Sequence, residues 1–548
     1  MANTARLVAA FDRLERFIRR TMEEDNTPGV AVALTDRECL LWVAGYGFAD
    51  LAARTPVAPG TRFEIGSIGK SFTGIALLQL HEAGRLDLHA PVADYLPWFA
   101  PRSRYGPITV HHLLSHTAGI VTGTDAATDA RPEVWALRET EAGAPPGARF
   151  RYSNVGYKAL GLVLEAIDGR GYGAAIGERI LDPLGMRDTD PVITHETRKD
   201  LAVGYTPLYD DRPARPSHPL VPATWVETGT GDGSLAATPE DLAIYLRMLL
   251  NRGRGPRRPL LSDAGFALLT GRVIEAPGWM PGTFYGYGLT AREAGGHLYI
   301  GHPGTMVGYL AAMTGDLTDG LGAVVFVNGP GSPSRIARYA LRLLSAALHN
   351  EELPPLPPAP DPTRVEEAAD YAGTYRAGGR TITLAAEGER LVLTDGAVRV
   401  ALEGHCDDDT FHVDRPGWDR FVLRFGREAG RVVEAFHGPD WFVNERYSGP
   451  GSFDYPPGWA AYPGHYRSHN PWLTNFRVVP RKGRLVLVFP NGAEGFGVEE
   501  PLIPLGDGAF RIGEGAHLPE RLRFDGVVDG QALRANLSGA DYYRFFTP

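Results

Sequence analysis

Apolar residues recur every three or four positions in several long segments, which is the pattern of amphipathic helices. The first such segment spans residues 1–26, and others follow Ser67, Tyr157, Thr238 and Ser334. Shorter runs rich in valine, tyrosine and phenylalanine are bounded by turn residues and predict strands. These runs are residues 30–34, 39–48, 285–289, 299–309 and 322–328. The first 350 residues are therefore expected to form an α+β domain built on one antiparallel sheet flanked by helices.

The chain beyond the proline-rich segment repeats itself. Tyr371, Gly373, Tyr375 and Arg376 return about 90 residues later as Tyr462, Gly464, Tyr466 and Arg467. This spacing suits a small domain, and short alternating strands with Gly and Asp turns predict an antiparallel barrel for each copy. We expect a first domain at 1–350, a stiff linker at 351–365, and barrels at 366–452 and 453–548.

Composition narrows the classes of function. The chain has 548 residues, 43% of them hydrophobic, and a net charge of −10, as in a soluble globular protein. The acidic balance argues against nucleic-acid or membrane partners. Cys39 and Cys406 fall in different predicted domains and form no disulfide framework, so both are expected to be buried. The N-terminal segment lacks the apolar core of a signal peptide, and a cytoplasmic location is expected.

The first chemical feature is Ser67 with Lys70. In a helix these two side chains lie on one face, so the hydroxyl and the amine meet. A serine hydroxyl is a weak nucleophile until a base takes its proton, and lysine serves as a base where its surroundings disfavour the charged form. The motif is short and arises by chance, so its significance depends on partners elsewhere in the chain.

Two further features supply such partners. Tyr152 and Asn154 precede the helix that begins near Tyr157, where a tyrosine could relay protons and an amide could hold a substrate carbonyl or amide. Taken alone, a Tyr-x-Asn sequence is more often an ordinary helix cap. His302, Gly304 and Thr305 lie in a predicted strand with little side-chain bulk. A backbone N–H just past Gly304 could join that of Ser67 in holding an oxyanion.

Histidines at positions 111, 112 and 116 raise the question of a metal site. His112 and His116 are four residues apart, as helical zinc ligands are, but no acidic residue or third ligand accompanies them. We expect them to hydrogen-bond to backbone groups instead. The sequence thus predicts no metal and no cofactor.

Ser67-x-x-Lys70, Tyr152-x-Asn154 and His302-x-Gly304, in this order, resemble the penicillin-recognising serine hydrolases, most closely the class C β-lactamase-like branch with its esterases and D-aminopeptidases. The resemblance covers roughly residues 5–350. It implies that Ser67 is acylated, that Lys70 and Tyr152 move protons, and that Asn154, His302, Gly304 and Thr305 bind substrate. A domain of this kind followed by two barrels is similar to the three-domain D-aminopeptidases, in which a barrel loop narrows the active-site entrance.

One departure bears on the substrate. His302 stands where true β-lactamases have a lysine, and a largely neutral histidine offers little attraction to a substrate carboxylate. The resemblance therefore implies a serine hydrolase acting on a small ester, amide or short peptide. The alternatives are β-lactamase or DD-peptidase activity, and a catalytically silent binding or scaffold protein. A homodimer is left open, and residues 468–472 are the barrel loop expected to reach the cleft.

Overall fold

The computed structural model describes residues 2–404, 409–491 and 497–545. The chain divides into two units, each of which includes a short segment from elsewhere in the chain. The first unit comprises residues 1–208, 219–357 and 516–519, and the second comprises residues 209–218, 358–515 and 520–548. Cys406 lies outside the described residues.

The first unit is built on a nine-stranded sheet. In spatial order its strands are Thr55–Pro56, Leu40–Asp50, Gly29–Thr35, Leu321–Val327, Tyr309–Asp316, His297–Met306, Thr290–Ala294, Thr283–Tyr285 and Ile274–Glu275. All neighbouring pairs are antiparallel. Two neighbouring inner strands, Gly29–Thr35 and Leu321–Val327, are buried at every position, because helices cover both faces of the sheet.

The five long helices form where the apolar periodicity predicts them. The helices of this unit have the bounds Ala2–Asp25, Gly69–Glu82, Val92–Tyr95, Val110–Leu114, Ala130–Ala136, Asn154–Asp168, Tyr172–Ile176, Asp182–Leu184, Pro239–Leu250, Asp263–Leu269 and Pro333–Leu348. The first and last of these pack together on one face of the sheet, where the rings of Phe17 and Tyr339 lie 4.6 Å apart. On the other face the rings of Phe72 and Tyr245 stack at 3.9 Å. The α+β fold is therefore confirmed.

Two strands that separate predicted strands are absent from the sequence prediction, and one of them is Thr290–Ala294, which lies between Thr283–Tyr285 and His297–Met306. Residues 299–309 contain a turn at Val307 and Gly308, and a separate strand, Tyr309–Asp316, lies between His297–Met306 and Leu321–Val327. The sequence does not reveal the turn, because apolar and small residues continue from one strand into the next. The strands predicted at 299–309 and 322–328 are thus not direct neighbours.

The second unit contains two antiparallel sheets. Nine strands of the first are Gly373–Ala377, Arg380–Ala386, Leu391–Asp395, Val398–Ala401, Glu403–Gly404, Thr410–His412, Leu423–Glu428, Arg431–His437 and Asp440–Val443. Its two edge strands are separated in the chain by Leu402 alone, so the sheet curls nearly closed. The second sheet closes fully through Gly464–Arg467, Asn475–Arg481, Arg484–Val488, Glu499–Gly506, Ala509–Ile512, Arg521–Val528, Gln531–Leu537 and Ala540–Arg544. The predicted pair of barrels is confirmed.

The sequence repeat corresponds to one hydrogen bond made twice. The Tyr375 hydroxyl donates to the carbonyl of Tyr371 at 2.7 Å, and the Tyr466 hydroxyl donates to the carbonyl of Tyr462 at the same distance. Both donor tyrosines are fully buried in their barrels. The repeated tyrosines therefore fix the start of the first strand in each copy.

Three further observations bear on the sequence predictions. Cys39 is exposed in the turn between two strands, so its predicted burial is wrong. Residues 468–472 belong to the second unit, and residues 516–519 belong to the first. Among the described residues, no helix has the length and apolar content needed to span a membrane.

Candidate active site

Ser67 lies where a short strand passes into a helix. Phe63–Glu64 pairs with Ala236–Ala237, and the chain then makes one turn of 3₁₀-helix, Gly66–Ile68, before the helix Gly69–Glu82. Gly66 has a φ of +52°, a conformation that favours glycine. This turn leaves the Ser67 side chain partly exposed, while its neighbours on both sides are buried.

Lys70 is the hydrogen-bonding centre of the site. Its Nζ lies 2.9 Å from the Ser67 Oγ, 2.8 Å from the Asn154 Oδ1 and 2.8 Å from the carbonyl oxygen of Asp232. The side chain has no solvent exposure. The nucleophile and base of the predicted motif are thus brought into contact, and the glycine-rich segment around Asp232 contributes a backbone acceptor.

These contacts fix the orientation of the Lys70 amine relative to the Ser67 hydroxyl. The carbonyl of Asp232 and the amide oxygen of Asn154 only accept, so they take two of the N–H groups of Lys70. The third tetrahedral position on Nζ faces Ser67. In an ammonium group that position is an N–H, and in a neutral amine it is a lone pair that accepts from the serine hydroxyl. Either protonation state satisfies all three contacts, and in its neutral state the amine is positioned to take the serine proton.

Tyr152 and Asn154 lie at the start of the helix Asn154–Asp168, next to the amine of Lys70. Ser153 caps this helix, because its side chain accepts from the N–H of Gly156 at 3.1 Å. The Nζ of Lys70 lies 4.8 Å from the centre of the Tyr152 ring. The structure thus brings Tyr152 and Asn154 together with Ser67 and Lys70, and the cap belongs to the residue between them.

A buried ionic network behind Asn154 is absent from the sequence prediction. The Nδ2 of Asn154 donates to the Asp125 Oδ2 at 3.1 Å, which fixes the orientation of the amide. The other oxygen of Asp125 and the Oε2 of Glu133 each lie 2.7 Å from the Nζ of Lys158. Lys158 follows Asn154 by one helical turn in a largely apolar helix. A lone lysine on such a face signals a buried ion pair, although sequence does not reveal its partners.

The strand His297–Met306 lies against the turn that carries Ser67. Its hairpin turn is two residues long, so Met306 pairs with Tyr309 through hydrogen bonds, and Thr305 with Leu310 does not. The N–H of Thr305 therefore points off the strand edge, toward Gly66. A Cβ at Gly66 would lie 2.7 Å from the Thr305 nitrogen, and one at Gly304 would lie 1.9 Å from the Ile65 carbonyl oxygen. Two glycines thus allow the close approach of the serine turn to this strand that the predicted oxyanion hole requires.

His302 is a buried residue of the strand His297–Met306. Its Nδ1 donates to the carbonyl of Pro303 at 2.5 Å, and its Nε2 accepts from the Tyr285 hydroxyl at 3.0 Å. Burial, and secondarily the charge of Lys70, lowers the pKa of His302 to about 3. The imidazole is neutral near pH 7, so this position provides no fixed positive charge.

His112 and His116 each accept a hydrogen bond from a backbone N–H group, as expected. His112 completes the cap of the helix Val110–Leu114 with Thr109, and the Nδ1 of His116 accepts from the N–H of Ser153 at 3.1 Å. Burial lowers the pKa of His116 well below its usual value, so it too is neutral. In the described part of the chain, the side chains spaced for a metal are His297, Asp316 and Asp319, at the opposite end of the strand from Thr305.

The matches to known proteins agree with this geometry. A family model described as Beta-lactamase matches residues 14–347, more than half of the chain. The chain therefore belongs to the β-lactamase family.

Individual relatives cover different shares of the chain. Protein flp of Staphylococcus aureus (strain N315) is 29% identical over 252 residues, 44% of this chain and 49% of that protein. The chain thus spans about half the length of this curated relative. Penicillin-binding protein 4 of Amycolatopsis lactamdurans is 28% identical over 373 residues, 65% of this chain and 95% of that protein. The structure of the octameric penicillin-binding protein homologue from Pyrococcus abyssi is similar with a TM-score of 0.58 and 27% identity, over 79% of this chain and 100% of that one.

Proposed function

We propose that the protein is a serine hydrolase that forms an acyl-enzyme on Ser67 and cleaves a small ester, amide or short peptide. The observation that carries this proposal is the contact between the Lys70 Nζ and the Ser67 Oγ at 2.9 Å, in a site where Asn154 and Asp232 hold the amine in place. Membership of the β-lactamase family supports the same reaction.

In the proposed reaction the Ser67 Oγ attacks the substrate carbonyl carbon and gives its proton to Lys70 or Tyr152. The backbone N–H groups of Ser67 and Thr305 stabilise the negative oxygen of the tetrahedral intermediate. The proton then passes to the leaving alcohol or amine as the carbonyl bond to it breaks. Water attacks the acyl-enzyme by the reverse proton route and restores Ser67.

Because the imidazole of His302 is neutral, the site favours substrates that place no carboxylate near the strand His297–Met306. A β-lactam or a cell-wall peptide ending in a carboxylate would meet a neutral imidazole whose two nitrogens are already hydrogen-bonded. Hydrolysis of esters, or of amides from the amino end of a peptide, needs no such counter-charge. This argument places β-lactamase and DD-peptidase activity second.

A substrate panel tests the proposal. Acyl esters of p-nitrophenol would be compared with p-nitroanilides of D- and L-amino acids, and with a chromogenic cephalosporin, on the full chain and on Ser67→Ala. We expect turnover of esters or amino-acid anilides that disappears in the variant, with a preference for D over L residues. Turnover of the cephalosporin alone would favour the β-lactamase alternative, and no turnover of any substrate would favour a silent binding protein.

A further inference from the structure

Glu64 is a buried carboxyl group that the proposed mechanism does not use. It lies three residues before Ser67 and is 4% exposed. Within the described ranges of the chain, its carboxyl oxygens make no hydrogen bond and no ion pair. Burial raises the pKa of Glu64 from 4.5 to about 8. An unpartnered carboxyl at such a depth is costly, so its retention calls for an explanation.

Glu64 faces a cavity of about 90 Å³. Two aromatic residues, Trp225 and Tyr309, line it, and Arg198 is the other charged residue of the lining. The remaining lining is mostly apolar or small: Leu201, Ala202, Val203, Gly204, Pro222, Ala223, Thr224, Val226 and Val307. This volume exceeds the roughly 10–15 Å³ needed for one water and suits a small substituent such as an aminomethyl group.

The cavity adjoins both segments that supply the oxyanion donors. Glu64 precedes Ser67 on one segment, and Val307 follows Thr305 by two residues on the other. The close approach of Gly66 to the backbone of Thr305 joins these segments directly. A substituent on the acyl side of a substrate held in the oxyanion hole therefore has this cavity beside it.

We infer that the cavity binds the ammonium group of an α-amino acyl substrate, with Glu64 as its counter-ion and Trp225 and Tyr309 as aromatic walls. This inference rests on the proposed hydrolase function and assigns its substrate class. A carboxylate and aromatic faces both attract an ammonium group, and the attraction is strongest where water is excluded. The Tyr309 hydroxyl is already engaged, since it donates to the carbonyl of Ala202 at 2.6 Å.

The positive charge of Arg198 would repel a bound ammonium group, so removing it gives a second test of the inference. It is exposed, and its guanidinium carbon lies 5.3 Å from the centre of the Trp225 ring. Removal of this charge by Arg198→Gln is expected to improve the use of amino substrates. The same variant is not expected to change the use of substrates that lack the amine.

Titration of Glu64 gives the expected pH dependence. The carboxyl is protonated in the free site near pH 7 and must ionise to pair with an ammonium group. The charged Arg198 and the hydroxyl of Tyr309 also line the cavity, and burial raises the pKa of Tyr309 further above neutrality. Preference for the amino substrate should therefore rise from pH 6 toward pH 8, where an α-amino group of pKa about 7.7–8.0 begins to lose its own proton.

The test compares two thiobenzyl esters that differ only in the amine, those of alanine and of propionic acid. In the wild-type chain we expect kcat/KM to favour the alanine ester by at least about tenfold. Glu64→Gln keeps the shape of the side chain and should reduce that preference at least tenfold, while propionyl turnover stays within about twofold. Glu82→Gln, a carboxyl that accepts from Ser262, is the matched control and should behave as the wild type.

Two results would overturn the inference. The first is a wild-type enzyme with no preference for the amine, and the second is an equal loss on both esters in Glu64→Gln, which marks a structural role. Failure of the hydrolase proposal has a different signature, because neither ester would then acylate Ser67 in the wild-type chain.

Discussion

At the scale of single residues, the chemistry depends on one buried amine that faces a serine hydroxyl. Two acceptors on separate segments, Asn154 and the backbone of Asp232, hold Lys70 so that its third position addresses Ser67. A lysine without these acceptors would rotate freely about four side-chain bonds. The pairing of Ser67 with Lys70 follows from sequence spacing, but the precision of that pairing comes from the acceptors.

Lys70→Ala is expected to slow acylation about 10²- to 10⁴-fold, because proton removal from Ser67 loses its acceptor. The measurement is the single-turnover rate with p-nitrophenyl acetate, alongside the Tm as a check on folding. Lys199→Ala, at an exposed position, serves as the control and should react at the wild-type rate. Acylation of the Lys70 variant within threefold of wild type would show that Tyr152 alone removes the proton.

The Asp125 carboxylate pairs with Lys158 and accepts from Asn154, and two variants separate these roles. Asp125→Ala should lower the free energy of unfolding by about 3–5 kcal/mol, because it leaves part of a buried ionic network unpaired. It should also raise KM, because Asn154 loses the acceptor that orients its amide. Glu133→Ala disturbs the same buried Lys158 without touching Asn154, so it should lose stability while KM stays unchanged. Equal changes in KM for the two variants would contradict an orienting role for Asp125.

Glu64 also predicts how stability depends on pH. The folded protein retains a proton up to about pH 8 that the unfolded chain releases near pH 4.5. The stabilising contribution of this group is thus fully present below pH 4.5 and is lost as the pH rises toward 8. Glu64→Gln should flatten the decline of Tm between pH 5 and 8 in scanning calorimetry. An unchanged slope would show that Glu64 is already ionised in the folded protein.

At the scale of elements, the site forms where a helix turn meets the edge of a strand. The register of the hairpin decides which backbone N–H groups of that strand point outward, and the glycines decide how near the serine turn comes. Neither property depends on which side chains carry the chemistry. The proposed oxyanion hole thus depends on strand register and on two missing Cβ atoms.

Gly304→Ala tests this contact between elements. The added Cβ would lie 1.9 Å from the carbonyl oxygen of Ile65, so the strand and the serine turn must separate. We expect kcat to fall about 10²- to 10³-fold, the usual effect of losing an oxyanion donor. Gly60→Ala adds the same methyl group where no heavy atom lies within 4 Å and should leave kcat unchanged. A Gly304 variant with wild-type kcat would place the oxyanion donors elsewhere.

At the scale of the whole molecule, sequence reasoning succeeds where a signal is periodic or repeated. Apolar periodicity predicts the helices, and the recurrence of Tyr371 and Tyr375 as Tyr462 and Tyr466 predicts two barrels. Two of the ordered motifs predict that Ser67, Lys70, Tyr152 and Asn154 share one site. Sequence reasoning fails for contacts between loops, such as that of Asp125 with Asn154, because nothing local specifies them. It also misses that residues 209–218 group with the second unit.

The central claim is that Ser67 becomes acylated, and intact-mass analysis of the full chain tests it most directly. The chain would be treated with a fluorophosphonate probe and, in parallel, quenched during turnover of a p-nitrophenyl ester. We predict a single adduct of the expected mass in each case, located by peptide mapping to Ser67 and absent from Ser67→Ala. No adduct in the wild-type chain, or an adduct that persists in Ser67→Ala, would contradict the account.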